Sequence, residues 1–144
     1  MTQSFRIREA RWPDELPLLR QVREAVFVIE QGVPLEMEWD EMDSVSTHLL
    51  AVDLNGVAIG TARLLPDGHI GRLAVLGEWR RHGVGRALLD TAIALANARG
   101  LAKVMLNAQT QALAFYERAG FHVSGPEFME AGIPHIAMEK RLAP

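Results

Sequence analysis

The sequence predicts an α+β domain, and three observations carry that prediction. Residues 48 to 75, HLLAVDLNGVAIGTARLLPDGHIGRLAV, break into strand-length apolar runs at two turn signals. RALLDTAIALANARG, residues 86 to 100, repeats apolar residues at helical intervals and stops at a glycine. LAKVMLNA and QTQALAFYERAG then add a strand-length run and a second helical run ending at Gly120.

Each element follows from local pattern. FRIREA, residues 5 to 10, alternates Phe5 and Ile7 with polar neighbours and reads as the first strand. Leu16, Leu19, Val22, Arg23, Val26 and Phe27 recur at roughly helical intervals, while Pro13 and Pro17 restrict where that helix begins. EQGVPLEMEWDEMD, residues 30 to 43, reads as a loop with short helical turns, since its apolar residues offer buried contacts. Asn55-Gly56 and Asp67-Gly68 suit hairpin turns, and Val57, Ile59, Thr61, Arg63 and Leu65 share one strand parity directed toward a core or cleft. Gly60 and Gly71 mark close backbone approach or bulges. FHVSG and IPHIAMEKRL close the chain as two strands separated by a turn.

At 144 residues the chain is expected to form one domain over 1–144, since single cores commonly organise about 100 to 150 residues. An apolar fraction of 49% supports a substantial core and makes disorder a poor default. The formal charge of −3 lacks the broad positive field of a nonspecific nucleic-acid binder, so no nucleic-acid partner is expected. The absence of cysteine excludes disulfides, thiolate metal sites and a cysteine nucleophile. Five dispersed histidines and no HExxH motif predict no required metal. MTQSFRIREARWPDELP has no continuous apolar signal core, and no segment reaches the roughly 18 uninterrupted apolar residues of a membrane span. A cytoplasmic location without a membrane partner is the corresponding expectation.

EWRRHGVGRALL, residues 78 to 89, sets three arginines, a histidine and two glycines before the apolar helical run. Helix N termini expose unpaired amides whose partial positive charge favours anions. Gly83 and Gly85 would let the backbone approach a pyrophosphate, Arg80, Arg81 and Arg86 would supply charge, and His82 would offer a hydrogen bond. A solvated helix start, with glycines serving only the turn, accounts for the same residues. Two familiar phosphate motifs fit poorly: Leu88 occupies the last glycine position of GxGxxG, and the GxxxxGK[ST] pattern is missing.

GRLAVLGEWRRHGVGRALL and LNAQTQALAFYERAGF, in that order, resemble the GNAT family of N-acetyltransferases. The family pattern R/Q-x-x-G-x-G/A falls on Arg80-Arg81-His82-Gly83-Val84-Gly85, and the tyrosine that precedes a Gly-Phe pair falls on Tyr116. The resemblance covers most of residues 5 to 142 and is strongest over 71 to 121. VREAVFVIEQGVP, EMEWDEMDSVSTHLLAV and FMEAGIPHIAMEK are similar to its YjcF and ElaA-like branch. The resemblance implies a single GNAT-like domain with a central mixed, mostly antiparallel sheet flanked by helices, using acetyl-CoA as cosubstrate. Carried onto this chain, Leu73, Ala74 and Val75 hold the pantetheine arm, while Arg80, Arg81, His82, Gly83, Val84, Gly85 and Arg86 hold the pyrophosphate. Asn107 contacts the arm or a bound water, or else completes a structural hydrogen-bond network.

Acyl transfer to an amine needs alignment, removal of the amine proton, stabilisation of the carbonyl oxygen and protonation of the departing thiolate. By resemblance, Tyr116 is the general acid, with core packing beside Phe115 and Phe121 as its bland alternative. Backbone amides near Val75 would polarise the carbonyl. Glu30, Glu130 or an ordered water would take the proton, in direct transfer without a covalent acyl-enzyme. Arg23, Phe27, Gln31, His69 and His135 are candidates for the acceptor pocket. Charge solvation or ion pairing competes for Glu30, Glu130 and Asp43, a strand-start contact for His48, and backbone hydrogen bonding or packing for His69 and His135. The expected activity is acetyl-CoA-dependent N-acetylation of an unidentified primary amine on a small molecule or peptide. A non-catalytic acyl-CoA-binding sensor is the alternative, and a homodimer is compatible with the family.

Overall fold

Four strands, Phe5–Glu9 (β1), Thr47–Asp53 (β2), Ala58–Leu64 (β3) and Ile70–Val75 (β4), form an antiparallel half-sheet in that order in the computed structural model, which describes residues 4–142. Lys103–Gln109 (β5), His122–Glu130 (β6) and Ile133–Arg141 (β7) form a second antiparallel half, ordered β5-β7-β6. Where the halves meet, a parallel bridge joins His69 to Met105, and the Met105 amide donates to the Gly68 carbonyl at 3.1 Å. The result is the mixed, mostly antiparallel sheet expected. β6 runs on past FHVSG through Pro126, which an edge strand tolerates because its outward amides need no ladder partner.

Helices cover both faces. Leu16–Arg23 (α1) begins with Pro17 in its first turn and continues as a π-helical segment, Glu24–Glu30. Leu35–Glu38 (α2) and a 3-10 turn at Glu41–Val45 follow, as the acidic stretch predicted. Val84–Ala98 (α3) and Leu113–Arg118 (α4) flank β5 in sequence. The two-residue period of β2 divides the core. Leu49 and Ala51 join Leu88, Leu89 and Ala92 of α3, whereas Leu50 and Val52 join Leu19, Val22 and Val26 on the opposite face. Each large buried aliphatic contributes about 1.5–3 kcal/mol of transfer free energy. Among the described residues no helix is long and apolar enough to cross a membrane.

Two backbone features position the site. At Gly60 a Cβ would lie 3.0 Å from Leu88 Cδ1 and 3.1 Å from Val84 Cγ1, so the missing side chain lets the start of α3 settle against β3. In the β3–β4 ladder Arg63 pairs with Gly71 but Thr61 pairs with Ala74, leaving Arg72 and Leu73 opposite Ala62. Arg72 takes φ 49°, and its carbonyl accepts a 3.0 Å hydrogen bond from Thr61 Oγ1. A bulge of this kind bends its strand, and beyond the bridge no ladder joins β4 to β5 among the described residues, where both strands line a cavity.

Candidate active site

The loop that leads into α3, Arg80 to Gly85, is the segment in which an anion cradle was expected. Gly83 caps the helix at φ 83°, a left-handed conformation that glycine adopts without strain, and Arg81 before it also has a positive φ of 65°. No side chain caps this end; the Ala87 amide is the first of the helix to bond back, to the Gly83 carbonyl at 3.0 Å. The amides of Val84, Gly85 and Arg86 therefore remain available to an anion. Buried Val84 anchors the turn, while Gly85 lies where a Cβ would come within 3.6 Å of Phe115 and 3.7 Å of Val75. His82 packs edge-on to Trp79 at 5.8 Å between ring centres.

The arginines are not equivalent. Arg80 forms two 2.7 Å bonds to Glu30 and a 3.1 Å bond from Nε to the Val75 carbonyl. Arg86 pairs with Asp90 one turn along the helix at 3.0 Å. Arg81 is exposed and makes no ion pair among the described residues. These contacts correct one expectation: Glu30 is no candidate base. It does not line the cavity described below, and its hydrogen bond from Arg80 holds its carboxyl below the ordinary value.

Between β4, β5, the π-helical segment and the β6–β7 turn lies a cavity of about 530 Å³. Leu73, Leu106, Asn107 and Tyr116 line it, joined by Phe27 and Gln31 from the π-helical side. His69, Glu130 and His135 line it as well. Thus Phe27, Gln31, His69 and His135 line one cavity, and the Gln109 amide ties β5 to Gln31 with a 3.0 Å hydrogen bond. Ala74 and Val75 lie outside the cavity, with Ala74 in the core beneath α1 and Val75 toward the start of α3.

Tyr116 both packs and lines the cavity. It meets Phe115 and Phe121 edge-on, at 5.1 Å and 6.1 Å between ring centres, and burial pushes its pKa up to about 12. Glu130 is more open: its Oε2 lies 3.7 Å from His135 Nε2, with the carboxylate half exposed.

Arg23 also departs from expectation. It faces an ion cluster in the interior and not the acceptor cavity, because the apolar face of α1 that carries it turns toward Trp39. Its Nε bonds Glu38 Oε1 at 2.7 Å, its Nη1 bonds Asp43 Oδ1 at 2.9 Å, and its guanidinium lies 4.0 Å over the Trp39 ring. Arg63 bonds Asp40 and Asp43 at 2.7 Å and 3.1 Å, and Arg72 bonds Asp40 at 3.1 Å. Three cations thus meet three carboxylates, the condition under which buried charge is tolerated. Burial raises the Glu38 pKa against the pull of Arg23, whereas at Asp43 the burial penalty is outweighed by bonds from Arg23 and the Asp40 amide, and its pKa falls. Asp43 and His48 belong to this buried network: His48 Nε2 donates to the Asp43 carbonyl at 2.7 Å while its ring stacks on Trp12.

Glu38, Asp40, Arg63 and Arg72 line the cavity too, although none was a site candidate. Their signal was present in the acidic run 36 to 43 and in the position of Arg63 on the cleft-facing parity of β3. Among the described residues no group of three or more His, Asp and Glu side chains is placed to hold a metal ion.

A family model described as an acetyltransferase (GNAT) domain matches residues 15–142. The uncharacterised N-acetyltransferase YjcF of Bacillus subtilis is 42% identical over 123 residues, covering 83% of this chain and 87% of that protein. The crystal structure of an acyl-CoA N-acyltransferase from Pseudomonas aeruginosa is 32% identical and superposes with TM-score 0.83 over 95% of this chain and 98% of that one. Escherichia coli ElaA superposes equally well, with TM-score 0.83 and 28% identity over 97% and 99% of the two chains.

Proposed function

The chain belongs to the GNAT acetyltransferase family, and from that membership we propose that it transfers the acetyl group of acetyl-CoA directly to a primary amine held in the cavity beside Tyr116. The observation that carries this reading is the uncapped start of α3 beside the end of β4, with the Tyr116-lined cavity opening along the same strand. The GNAT fold implies acetyl-CoA as cosubstrate, and the residues fit it. The amides of Val84, Gly85 and Arg86 would hold the pyrophosphate, and Arg81, which makes no ion pair among the described residues, would add a positive charge. Leu73 and Asn107 border the gap that would receive the pantetheine arm.

When bound, acetyl-CoA supplies an acyl carbon activated by a thiol leaving group. The chain itself would align the amine, with Phe27 and Gln31 among the residues that line the cavity. Backbone amides near Val75, at the end of β4, would polarise the carbonyl oxygen. Tyr116 remains protonated at neutral pH, but a phenol near 12 is a much weaker acid than an ordinary thiol at about 8.5. Its role is therefore hydrogen-bond donation to the sulfur as negative charge develops, with the final proton coming from solvent.

The test is acceptor-dependent CoA release by purified protein with acetyl-CoA and a panel of spermidine, kanamycin, Nα-acetyl-lysine amide and a short peptide with a free amino terminus. An acetylated product identified by mass spectrometry supports the transferase. Tight acetyl-CoA binding without product on any amine turns the reading toward the sensor.

A further inference from the structure

His135 occupies the middle strand of the β5-β7-β6 half-sheet, in register with Gln109 on one side and Phe128 on the other. Its Nδ1 lies 2.7 Å from the carbonyl oxygen of Ile133. A carbonyl only accepts, so Nδ1 carries the hydrogen, and the neutral ring must hold its lone pair on Nε2. The ring also stacks on Phe128 at 5.8 Å with an interplanar angle of 23°, which fixes its plane. Nε2 is left without a hydrogen bond to protein: its nearest carboxylate oxygen, on Glu130, is at 3.7 Å. That spacing suits an imidazolium once it forms. His135 is buried, its exposure being 7%, yet it lines the cavity that Tyr116 also lines.

We propose that His135 Nε2 is the base that takes the proton of the acceptor amine, with Glu130 stabilising the resulting imidazolium. This rests on the acetyltransferase reading above. The amine nitrogen forms a bond to the acyl carbon as the carbon–sulfur bond breaks. The nitrogen's proton passes to His135 Nε2, the electron pair of the broken bond stays on sulfur beside the Tyr116 hydroxyl, and solvent protonates the thiolate. His135 then returns its proton to water, so one amine and one thioester give one amide and one thiol.

The competing groups are otherwise engaged. Glu30 is held by Arg80 outside the cavity. Glu38 and Asp40 serve the arginine cluster, and His69 bonds Asp67 at 2.9 Å. The charged and titratable groups sharing the cavity with His135 are Glu130 of β6 and, from the other walls, Arg63, Arg72, Glu38, Asp40, His69 and Tyr116; β5 contributes neutral Gln109 and Asn107. Because Arg63 and Arg72 are both paired with carboxylates, the carboxylate beside the ring is the one uncompensated charge near Nε2 among the described residues.

Two readouts test the assignment. Nitrogen-15 NMR of histidine-labelled protein, with the His135 signal assigned by its loss in His135→Asn, should show a protonated Nδ1 and an unprotonated Nε2 in the neutral ring. A ring protonated at Nε2 overturns the proposal without reference to turnover. Kinetically, His135→Asn can keep a donor to the Ile133 carbonyl while removing the base. It should lose at least about 100-fold in kcat/KM with whichever panel amine the wild type accepts, the scale typical of general base catalysis. The acid limb of the pH profile should disappear, while the acetyl-CoA Kd measured by calorimetry stays within about twofold. Glu130→Gln should keep that limb and lose about tenfold or less. Retained turnover with an unchanged profile in His135→Asn overturns the proposal alone; a wild type that acetylates no panel amine overturns the transferase reading together with it.

Discussion

Arg80 grips Glu30 with two hydrogen bonds of 2.7 Å, Nη1 to Oε2 and Nη2 to Oε1, and so ties the end of the π-helical segment to the loop before α3. Both side chains are nearly half exposed, at 44% and 46%, so the pair is screened by solvent. Glu30 nevertheless competes with any anion that Arg80 would bind. Glu30→Gln should strengthen acetyl-CoA binding by up to about fivefold, the scale of an exposed pair, and Arg80→Ala should weaken it. Calorimetry at low and high salt would check both signs, and a weaker complex for Glu30→Gln would show that the pair positions Arg80 for the pyrophosphate.

Tyr116→Phe removes one hydroxyl from a ring whose packing comes from Phe115 and Phe121. Stability should change little, while kcat falls about 10- to 100-fold as the leaving sulfur loses its donor. Burial raises the folded pKa to about 12, above the ordinary 10.0. The stability linked to the neutral phenol is thus fully present below pH 10 and is lost as pH rises from about 10 toward 12. Urea titrations across that interval should show an alkaline decline in the wild type that Tyr116→Phe lacks.

Arg23→Met should act on folding before it acts on substrate. It removes the cation between Glu38 and Asp43 and leaves two buried carboxylates short of a partner, a change that typically costs about 3–5 kcal/mol. Chemical denaturation should register this loss. A variant of wild-type stability with a raised KM for the amine would return Arg23 to the acceptor site.

Acid should weaken the protein through Glu15. Two 2.7 Å bonds from Arg8, aided by the Arg11 amide, lower its pKa from 4.5 to about 2 despite burial. A lowered folded pKa contributes stability above the ordinary value, and that contribution disappears as pH falls from about 4.5 to about 2. Glu15→Gln should lower stability at pH 7 by on the order of 1–2 kcal/mol and flatten the acid limb of the wild-type curve in that window.

The loop before α3 was legible because its parts are contiguous: Arg80 to Gly85 and the apolar stripe after them specify a loop, a left-handed glycine and a helix start within a few residues. Gly60 and Gly71 likewise signalled a close approach and a bulge, and both occur, the bulge falling on the adjacent Arg72 and Leu73. Long-range pairing was hidden. Arg23 finds Glu38 and Asp43 fifteen and twenty residues away, and helical periodicity reveals that Arg23 faces inward without naming what neutralises it. Glu30 was misplaced for a local reason. Phe27 and Gln31 do reach the cavity, but α1 passes into wider π-helical turns at Glu24, and Glu30 at the end of that segment meets Arg80.

The parting of β4 from β5 leaves, in the language of sheets, a ribbon interrupted in its middle. Beyond the His69–Met105 bridge no ladder joins the two strands among the described residues, so each presents an edge to the other. Open edges ordinarily invite foreign strands and are blunted or covered. These two are shielded by facing each other, at a separation that excludes direct pairing. A slender, amide-bearing guest laid between them would serve as an eighth strand, and the protein would then be fully sheeted only while its reactant is in place.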